Sequence, residues 1–554
     1  MSLAGAEARF SSGSGATSDV SNLSQSWVRD QGALAADPGQ IRWRTIVVGT
    51  ALLAVALRLA TLVLAGHLTG VFEYDDGVYF GSAVLLIHGH LPYRDFVLIQ
   101  PPGLILLLTP FALLSNWLGT NHALELARLA VPLVAGANVV LLGLVLRRKP
   151  PVVVLVGCLF LAVFPDDILA STALLLEPFL IFVCLLGVLA IFDGDRLSDS
   201  GWRIFWAGAA LGFAADIKLW AAFPAVVLFM LCLPRPVRSL ALVGGAVLGW
   251  LLPTLPFLVA APVAFWHQVV VDQVGRSGAS ALSPLIRLEF LTGVWPGLGV
   301  PGGHLYELLA AAVALVVALV VLAAFATFLG ASESGPSSPK WGISQLEFFA
   351  LATTLVTGVA LLMPADFFYH YAAFFGAFLA LVLGLAAGRL ARRHPAPVLA
   401  LVAVVGGLGV IHALVIPVLL QRAPTLGSEI AAVIPARSCV VADDSEEPLT
   451  ANRFVSSSAN CPLLVDALGT TLAISGSQDP ASVQAQKAAD TWLSYFRRAD
   501  YVILTPLSPT RIPWDGRLER YLELNFRAVA SAPVLILRRL PTPAHQPQFH
   551  IPGT

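Results

Sequence analysis

The sequence predicts a mainly α-helical bundle that crosses a membrane many times. Of its 554 residues, 57% are hydrophobic and only 12% are charged, and the mean hydropathy is +0.79. Such an apolar composition is typical of integral membrane proteins and not of soluble or disordered chains. Apolar runs also recur close to the length of about 20 residues that a helix needs to cross the hydrocarbon core.

About eleven such runs follow a polar leader, residues 1–44, which we expect to be a disordered cytosolic tail. With the N-terminus inside, the cytosolic connections carry arginine or lysine, as the positive-inside rule requires. The predicted spans are 45–67, 124–146, 150–165, 172–192, 203–218, 219–234, 240–261, 304–329, 343–364, 371–390 and 397–420.

The run 104–118 is interpreted as a helix lying at the outer interface. It has about 15 residues, follows a Pro-Pro pair and contains Pro110, so it is short for a crossing. Counting it as a span would place the basic residues 147–149 outside. With an odd number of spans, residues 421–554 lie on the outer face.

Residues 421–554 are more polar, and short β-like runs alternate there with helix-like stretches. This alternation predicts a small extracytoplasmic α/β domain. Cys439 and Cys461 are the two cysteines outside the apolar spans, and an oxidising compartment would allow a disulfide between them. The β-like runs are 439–442, 463–465, 501–504 and 534–537, and the helix-like stretches are 481–498 and 516–527.

Composition also excludes some classes of partner and cofactor. A formal net charge of −1 without a basic run argues against nucleic acid binding. The sequence contains no C-x-x-C, H-E-x-x-H or nucleotide-binding P-loop motif, so neither a metal nor ATP is indicated.

Ionisable residues in or near the membrane are functional candidates by default, because burying them is unfavourable. Asp75 and Asp76 lie in the first outer loop, residues 72–103. One interpretation is that Asp75 caps an interfacial helix that runs from Asp76 to about His88. The other is that one aspartate is a general base. The two roles are compatible.

Two further ionisable residues lie near the outer ends of later spans. Glu177 lies about two turns below the outer surface, so it must face a cavity or a partner, and Arg58 at a similar depth is one candidate. A purely structural ion pair is the alternative. Lys218 at an outer surface favours an anionic partner such as a phosphate, and a simple pair with Asp216 is the alternative.

The remaining candidates are weaker by spacing alone. Asp272 and Arg276 are one helical turn apart, so they could form a solvated pair, or Arg276 could offer a fork of donors to a phosphate. His370 and Tyr371 open a predicted span, a position typical of an aromatic anchor at the interface.

Taken in order, these motifs resemble the GT-C superfamily of polyprenyl-phosphate-dependent glycosyltransferases, particularly the bacterial aminoarabinose transferases of lipid A and the protein O-mannosyltransferases. The likeness covers about residues 45–390. The pair Asp75-Asp76 resembles the family's acidic pair, with Asp75 at the catalytic aspartate. Glu177 is similar to its acidic residue on a later span, and Lys218 to its lysine on the donor phosphate.

Later motifs extend the resemblance. Residues 265–276, with Phe-Trp, Asp272-Gln273 and Arg276, are similar to an outer-loop pattern of the family, and His370-Tyr371 resembles its polar-Tyr element. The chain departs from the pattern at Asp76, which replaces a glutamate, at Ile99-Gln100, which replaces Glu-Lys, and at Gln273, which replaces a histidine. These departures leave the sugar and the acceptor open.

The resemblance implies a GT-C-type bundle over residues 45–420 in a prokaryotic plasma membrane. Its function would be inverting transfer of a sugar from a polyprenyl monophosphate to a glycan, lipid or protein acceptor at the outer face. Asp75 would be the general base, Lys218 and Arg276 would hold the phosphate, and no nucleotide or metal would be required. The other residues expected to position substrates are Asp76, Tyr93, Arg94, Asp95, Gln100, Glu177, Asp272, His370 and Tyr371.

Two alternatives belong to other classes. A transporter or flippase of lipid-linked sugars would also need cationic groups near the outer leaflet, but it usually has internal repeats and broken helices at mid-membrane. The candidate residues cluster at one face instead, which favours the transferase. A catalytically idle scaffold that recruits partners through the C-terminal domain is the third possibility.

Overall fold

The structure is a computed structural model. It describes residues 38–274, 281–293, 321–328, 343–364, 366–391, 422–475 and 483–546, together with positions 308, 315 and 549. The predicted tail is therefore described only from Pro38, where it is already helical, and most of the predicted span 304–329 and all of 397–420 lie outside the described residues.

The first part of the chain is a bundle of helices with one short β-hairpin, whose two strands have two residues each. Its elements are α1 Pro38–Leu64, α2 Tyr74–Ile87, α3 Gly103–Leu118, α4 Thr120–Leu146, α5 Pro151–Val163, α6 Pro165–Ala170, α7 Leu176–Ile191, β1 Phe192–Asp193, β2 Arg196–Leu197, α8 Gly201–Ile217, α9 Ala222–Cys232, α10 Pro236–Ala260, α11 Pro262–Trp266, α12 Asp272–Val274, α13 Pro284–Leu291, α14 Gln345–Leu362 and α15 Tyr371–Ala391. A π-helical turn, His267–Val271, joins α11 to α12.

Five of the described helices are long and apolar enough to cross a membrane: α1 from Arg42, α4, α10, α14 and α15. Four other predicted spans form helices of 11 to 17 residues, α5, α7, α8 and α9. Proline bounds one of them, α5, at both ends, because Pro151 fixes its start and Pro165 starts a new helix after it. The total of eleven spans stays a prediction.

Helices α8 and α10 pack against each other at very short range through two matched Gly-x-x-x-Gly motifs. A Cβ added at Gly208 or Gly212 of α8 would collide with the backbone of α10, and one at Gly245 or Gly249 of α10 would collide with the backbone of α8. Glycine at these positions lets the two backbones touch, which is how helices associate where lipid removes the usual hydrophobic driving force.

The C-terminal region, residues 422–546, contains a four-stranded sheet covered by helices. Its elements are α16 Gly427–Val433, β3 Val440–Ala442, α17 Glu446–Thr450, α18 Ala467–Ser475, α19 Val483–Arg498, β4 Tyr501–Leu504, α20 Ser508–Arg511, α21 Gly516–Asn525, β5 Phe526–Ala530 and β6 Leu535–Arg539. The strand order is β3-β4-β6-β5, with β3 and β4 parallel and the other pairs antiparallel.

The predicted and observed elements of this region agree at three strands and two helices. Strand β4 has the predicted bounds, whereas the predicted run 463–465 contains no strand and β5 was interpreted as the end of a helix. Trp492 and Phe496 of α19 and Val502 of β4 form its buried core. Cys439 and Cys461 form a disulfide beside β3.

The C-terminal region packs directly on the loop that carries Asp75 and Asp76, residues 72–103, which we call the acidic loop. A Cβ at Gly77 of α2 would touch the backbone of Glu446, and one at Gly81 would touch Phe454. The backbone N–H of Ala423 also donates to the carbonyl of Ala65 at 2.9 Å. Helix α2 is consequently sandwiched between the bundle and the C-terminal region, and its residues Val78 to Leu85 are all buried.

Candidate active site

Lys218 is the centre of a compact cluster of charged and aromatic side chains. Helix α8 ends at Ile217, and Lys218 adopts an extended backbone before the chain turns into α9. Its Nζ donates to Glu177 Oε1 at 2.5 Å and lies 3.7 Å from the ring centroid of Trp220 and 4.2 Å from that of Tyr371. The ammonium is held by one carboxylate and two aromatic faces, each of which attracts a cation.

The second oxygen of Glu177 faces His370, whose Nδ1 lies 2.9 Å from Oε2. Glu177 is fully buried, and Lys218 and His370 are nearly so. Four candidates from three distant segments, Glu177, Lys218, His370 and Tyr371, thus form one cluster. The simple pair of Lys218 with Asp216 is not formed, because the Asp216 carboxylate instead accepts from the Thr254 hydroxyl.

A cavity of about 270 Å³ opens on this cluster. Three predicted substrate residues, Gln100, Lys218 and Tyr371, line it. Aromatic and apolar atoms dominate its walls and a few polar groups converge there, the usual character of a small-molecule site. The other residues lining it are Pro101, Leu219, Trp220, Val269, Gln273, Pro364 and Asp366.

A hydrogen bond connects this cluster to the acidic loop. Tyr369, the neighbour of His370, donates its hydroxyl to Glu73 Oε2 at 2.9 Å. Burial and the nearby charge of Asp75 raise the pKa of Glu73 from 4.5 to about 8. Residues 369–371 therefore touch the loop at one end and line the cavity at the other.

Asp75 lies in the first turn of α2 and is half-buried. Its Oδ2 accepts a long hydrogen bond from the Tyr79 hydroxyl at 3.3 Å. The prediction that Asp75 caps the helix is wrong, because α2 begins earlier and Glu73 occupies the N-cap position. Asp75 does not line the 270 Å³ cavity. Glu73, two residues before Asp75, accepts from Tyr369, which is two residues before the cavity residue Tyr371.

Asp76 is buried and both of its oxygens are engaged. Oδ2 accepts from Arg128 Nε at 2.6 Å, and Oδ1 accepts from the backbone N–H of Leu174. Arg128 also donates to Glu446 of the C-terminal region. Asp76 therefore ties α2 to α4 and to the segment that precedes Glu177.

The Tyr93 to Asp95 segment forms a tight turn. Tyr93 is buried against Phe265 and has a positive φ of 67°, and its hydroxyl donates to the carbonyl of Gln100 at 2.6 Å. Arg94 and Asp95 are exposed and pair with each other, with 2.7 Å between Arg94 Nη2 and Asp95 Oδ2. Tyr93 thus holds Gln100 at the cavity, whereas Arg94 and Asp95 do not line it.

The segment after α11 supplies the opposite wall of the cavity. Gln273 lines the cavity and donates to the carbonyl of Ile99. Burial raises the pKa of the neighbouring Asp272, whose Oδ2 has no hydrogen-bond partner among the described residues. Arg276 lies outside the described residues.

The predicted pair of Glu177 with Arg58 is wrong. Arg58 is fully buried and pairs with Asp167, and it also donates to the Ala162 carbonyl at 2.9 Å. Similar depth along two helices does not make two residues partners, because each side chain projects in one direction around its helix axis. Arg58 points to the short helix α6, and Glu177 points to Lys218.

Several site residues were not foreseen from the sequence. Glu73 and Tyr369 are immediate neighbours of predicted residues, and Arg128 is an arginine inside an apolar span, which is a signal in its own right. Asp166 and Asp167 interrupt the apolar stretch 150–192 in the same way, and both oxygens of Asp166 are buried without a partner in the described part of the chain. Glu446 carried no signal, because it lies in a polar region.

The fold of the described residues is similar to that of two solved structures of ArnT from Cupriavidus metallidurans. The structure is similar to that of ArnT from Cupriavidus metallidurans bound to undecaprenyl phosphate, with a TM-score of 0.56 and 16% identity over 90% of this chain and 99% of that one. The apo form of ArnT gives a TM-score of 0.57 at 15% identity, over 89% and 98% of the two chains.

Two further matches have lower TM-scores. The oligosaccharyltransferase AglB from Archaeoglobus fulgidus matches with a TM-score of 0.38 and 11% identity, over 90% of this chain and 74% of that one. The Pmt1-Pmt2 protein O-mannosyltransferase of S. cerevisiae matches 43% of this chain and 36% of its own, with a TM-score of 0.28 and 20% identity. No protein-family model and no curated protein sequence matches the chain.

Proposed function

We propose that this protein is a membrane glycosyltransferase that transfers a sugar from a polyprenyl-monophosphate donor to an acceptor in the cell envelope. The observation that carries the proposal is the arrangement around residues 369–371. Tyr371 and Lys218 line an aromatic cavity, and Tyr369 reaches through Glu73 to the loop of Asp75. The GT-C fold, shared with an ArnT structure that contains undecaprenyl phosphate, supports the same assignment.

Lys218 holds the donor phosphate in this proposal. Because Glu177 already neutralises Lys218, the phosphodiester of the donor needs a second cation. Arg276 supplies the second cation. It lies three residues after Gln273 in the sequence. The two cations stabilise the lipid phosphate as it leaves.

Asp75 acts as the general base. It takes the proton from the acceptor hydroxyl or amine, the acceptor atom bonds to the anomeric carbon, and the bond from that carbon to the phosphate oxygen breaks on the opposite face. The configuration of the sugar is inverted, and the products are the glycosylated acceptor and the polyprenyl phosphate. We assign the base role to Asp75 alone, because both oxygens of Asp76 are occupied.

The remaining predicted residues position the substrates. Gln100 and Tyr371 line the cavity and contact the donor, and Tyr93 supports Gln100. Asp272 precedes Gln273 in the chain, and its Oδ2 has no hydrogen-bond partner among the described residues. The exposed Arg94-Asp95 pair lies where an incoming acceptor first meets the protein. The acceptor is a glycan, lipid or protein at the outer face of the plasma membrane.

The test is sugar transfer by the purified protein with labelled polyprenyl-phosphate sugars and envelope acceptors, comparing wild type with Asp75→Asn. Loss of a general base lowers turnover by roughly 10²- to 10⁴-fold, while donor binding stays within about twofold. Asp490→Asn is the matched control, since Asp490 is 62% exposed in a surface pair. Undiminished turnover in Asp75→Asn removes that residue from the mechanism.

The same assay separates a transferase from a flippase. A transferase releases free polyprenyl phosphate in step with glycosylated product, whereas a flippase moves the donor across the bilayer without cleaving it. Movement of intact donor with no release of polyprenyl phosphate from any sugar in the panel overturns the proposal.

A further inference from the structure

We propose that Glu446, in the C-terminal region, is a positioning residue for Asp75, so that this region acts as a clamp on the catalytic loop. The inference rests on the proposed function, because that function gives Asp75 its role. None of the described residues lining the cavity belongs to the C-terminal region. Its contribution to the reaction is therefore indirect and passes through the backbone of the first outer loop.

Glu446 binds the backbone just before Asp75. Its two carboxylate oxygens accept from the N–H of Phe72 at 3.0 and 2.9 Å, and Oε2 also accepts from the N–H of Glu73 at 3.1 Å. Glu73 is the N-cap residue of α2, so Glu446 fixes the point at which the helix carrying Asp75 begins. Backbone N–H groups at a helix start otherwise lack partners.

Arg128 completes the clamp from the bundle side. It donates to Glu446 and to Asp76, and its Nη1 donates to the carbonyls of Leu68 at 3.1 Å and Gly70 at 3.0 Å. Arg128 and Glu446 together hold the backbone from residue 68 to residue 73, and Arg128 holds the side chain of Asp76. Asp75 lies between these two fixed points.

The clamp is buried, and its charges need one another. Arg128, Asp76 and Glu446 are each at most 1% exposed. Burial raises the pKa of Glu446 and the charge of Arg128 opposes that rise. Removing one member of such a network leaves the others buried without a partner, which is strongly unfavourable. The loop would then shift to reach water, taking Asp75 with it.

Close packing holds the backbone of Glu446 directly against helix α2. Gly77 lies on α2 one turn after Glu73, and a Cβ there would touch the backbone N of Glu446. The two backbones are thus in direct contact at the clamp. A displacement of about 1 Å in a catalytic group can lower turnover by about 10²-fold, so a clamp of this kind acts on rate more than on donor binding.

The test compares Glu446→Gln with Glu429→Gln in the full-length protein. Glutamine keeps the size of Glu446 but directs an NH₂ group at donors, so it cannot satisfy Arg128 and the loop N–H groups together. Glu429 lies on α16 in the same region and is exposed, which makes it the matched control. Hydrogen exchange of the backbone over residues 68–80 is measured for both, with turnover and donor KM.

We expect Glu446→Gln to exchange faster over residues 68–80 and to lose about 10- to 100-fold in kcat, with donor KM within about twofold. Glu446→Asp, which keeps the charge, should recover part of the rate. Unchanged exchange in Glu446→Gln overturns the clamp, and so does unchanged kcat in an active enzyme. If wild type transfers no sugar, the proposed function fails by that result, and the exchange data alone decide whether Glu446 holds the loop.

Discussion

Lys218 and Glu177 are 41 positions apart in the chain and form a buried ion pair, with 2.5 Å between Nζ and Oε1. Glu177 gives Lys218 a fixed position, and the rings of Trp220 and Tyr371 cover the rest of the ammonium. The pair therefore has a structural role and a binding role, and substitutions can separate the two.

Lys218→Met removes the cation and leaves Glu177 with His370 alone. Loss of one partner from a buried pair costs about 3–5 kcal/mol of stability, and loss of a charged hydrogen bond worth about 1.5–3 kcal/mol weakens binding of polyprenyl phosphate roughly 10- to 150-fold. The double variant Lys218→Met/Glu177→Gln should recover stability without recovering binding. Thermal unfolding and lipid-phosphate titration in detergent measure both effects. Recovery of binding in the double variant would show that Lys218 does not hold the phosphate.

The contact between α8 and α10 predicts a sharp difference between two adjacent glycines. Gly245→Leu should force the helices apart, because even a Cβ there collides with the carbonyl of Phe205, and overpacking costs about 1–3 kcal/mol or more. Gly244→Leu is the control, since a Cβ at Gly244 meets nothing within 4 Å. Thermal unfolding of the two variants, side by side, checks the prediction. Equal stability of the two would mean that the helices do not touch here.

The raised pKa of Glu73 predicts a pH-dependent stability. The folded protein binds this proton up to a pH of about 8, whereas the unfolded chain releases it near 4.5. Between these values the folded state holds more protons, so its stability falls as the pH rises from about 4.5 to 8. Glu73→Gln should remove this part of the slope, and Glu429→Gln should not. The melting temperature measured from pH 5 to 9 gives the answer. If Glu73→Gln keeps the wild-type slope of stability against pH, that slope comes from another titrating group.

The disulfide between Cys439 and Cys461 closes a loop of 22 residues beside β3. Constraining a loop of this size stabilises the folded state by about 3 kcal/mol in the chain-entropy model. Wild type treated with reductant should unfold at a lower temperature. The double variant Cys439→Ser/Cys461→Ser should unfold at the temperature of reduced wild type, both with and without reductant. If reductant changes the double variant as much as wild type, the effect does not come from this bond.

The sequence was sufficient for the class of fold and for most residues of the Lys218 cluster. Apolar runs locate most of the helices, and the resemblance implies site roles for Glu177, Lys218, His370 and Tyr371, which lie together in the structure. Trp220 of the same cluster was not predicted. Partner choice was not predictable in the same way. Depth in the membrane follows from sequence position, but the direction of a side chain around the helix axis depends on packing. For this reason the sequence suggested Arg58 as a partner of Glu177, whereas the structure pairs Glu177 with Lys218 and Arg58 with Asp167.

The clamp on the acidic loop could not be foreseen for a different reason. Arg128 and Glu446 are 318 positions apart, and no periodicity connects a membrane helix to a polar region so far along the chain. Local patterns predicted strand β4 well, because its apolar run is bounded by polar residues. They missed β5, whose half-exposed residues follow a helix without a break.

The ion pair of Arg58 and Asp167 has a consequence for how the protein is made. Arg58 lies in α1, and its partner Asp167 is 109 residues further along the chain. A charged side chain inside a membrane helix is unfavourable without a partner. The Arg58–Asp167 pair can form only after both α1 and α6 have been synthesised. The counter-ion of α1 therefore comes from a later part of the same chain.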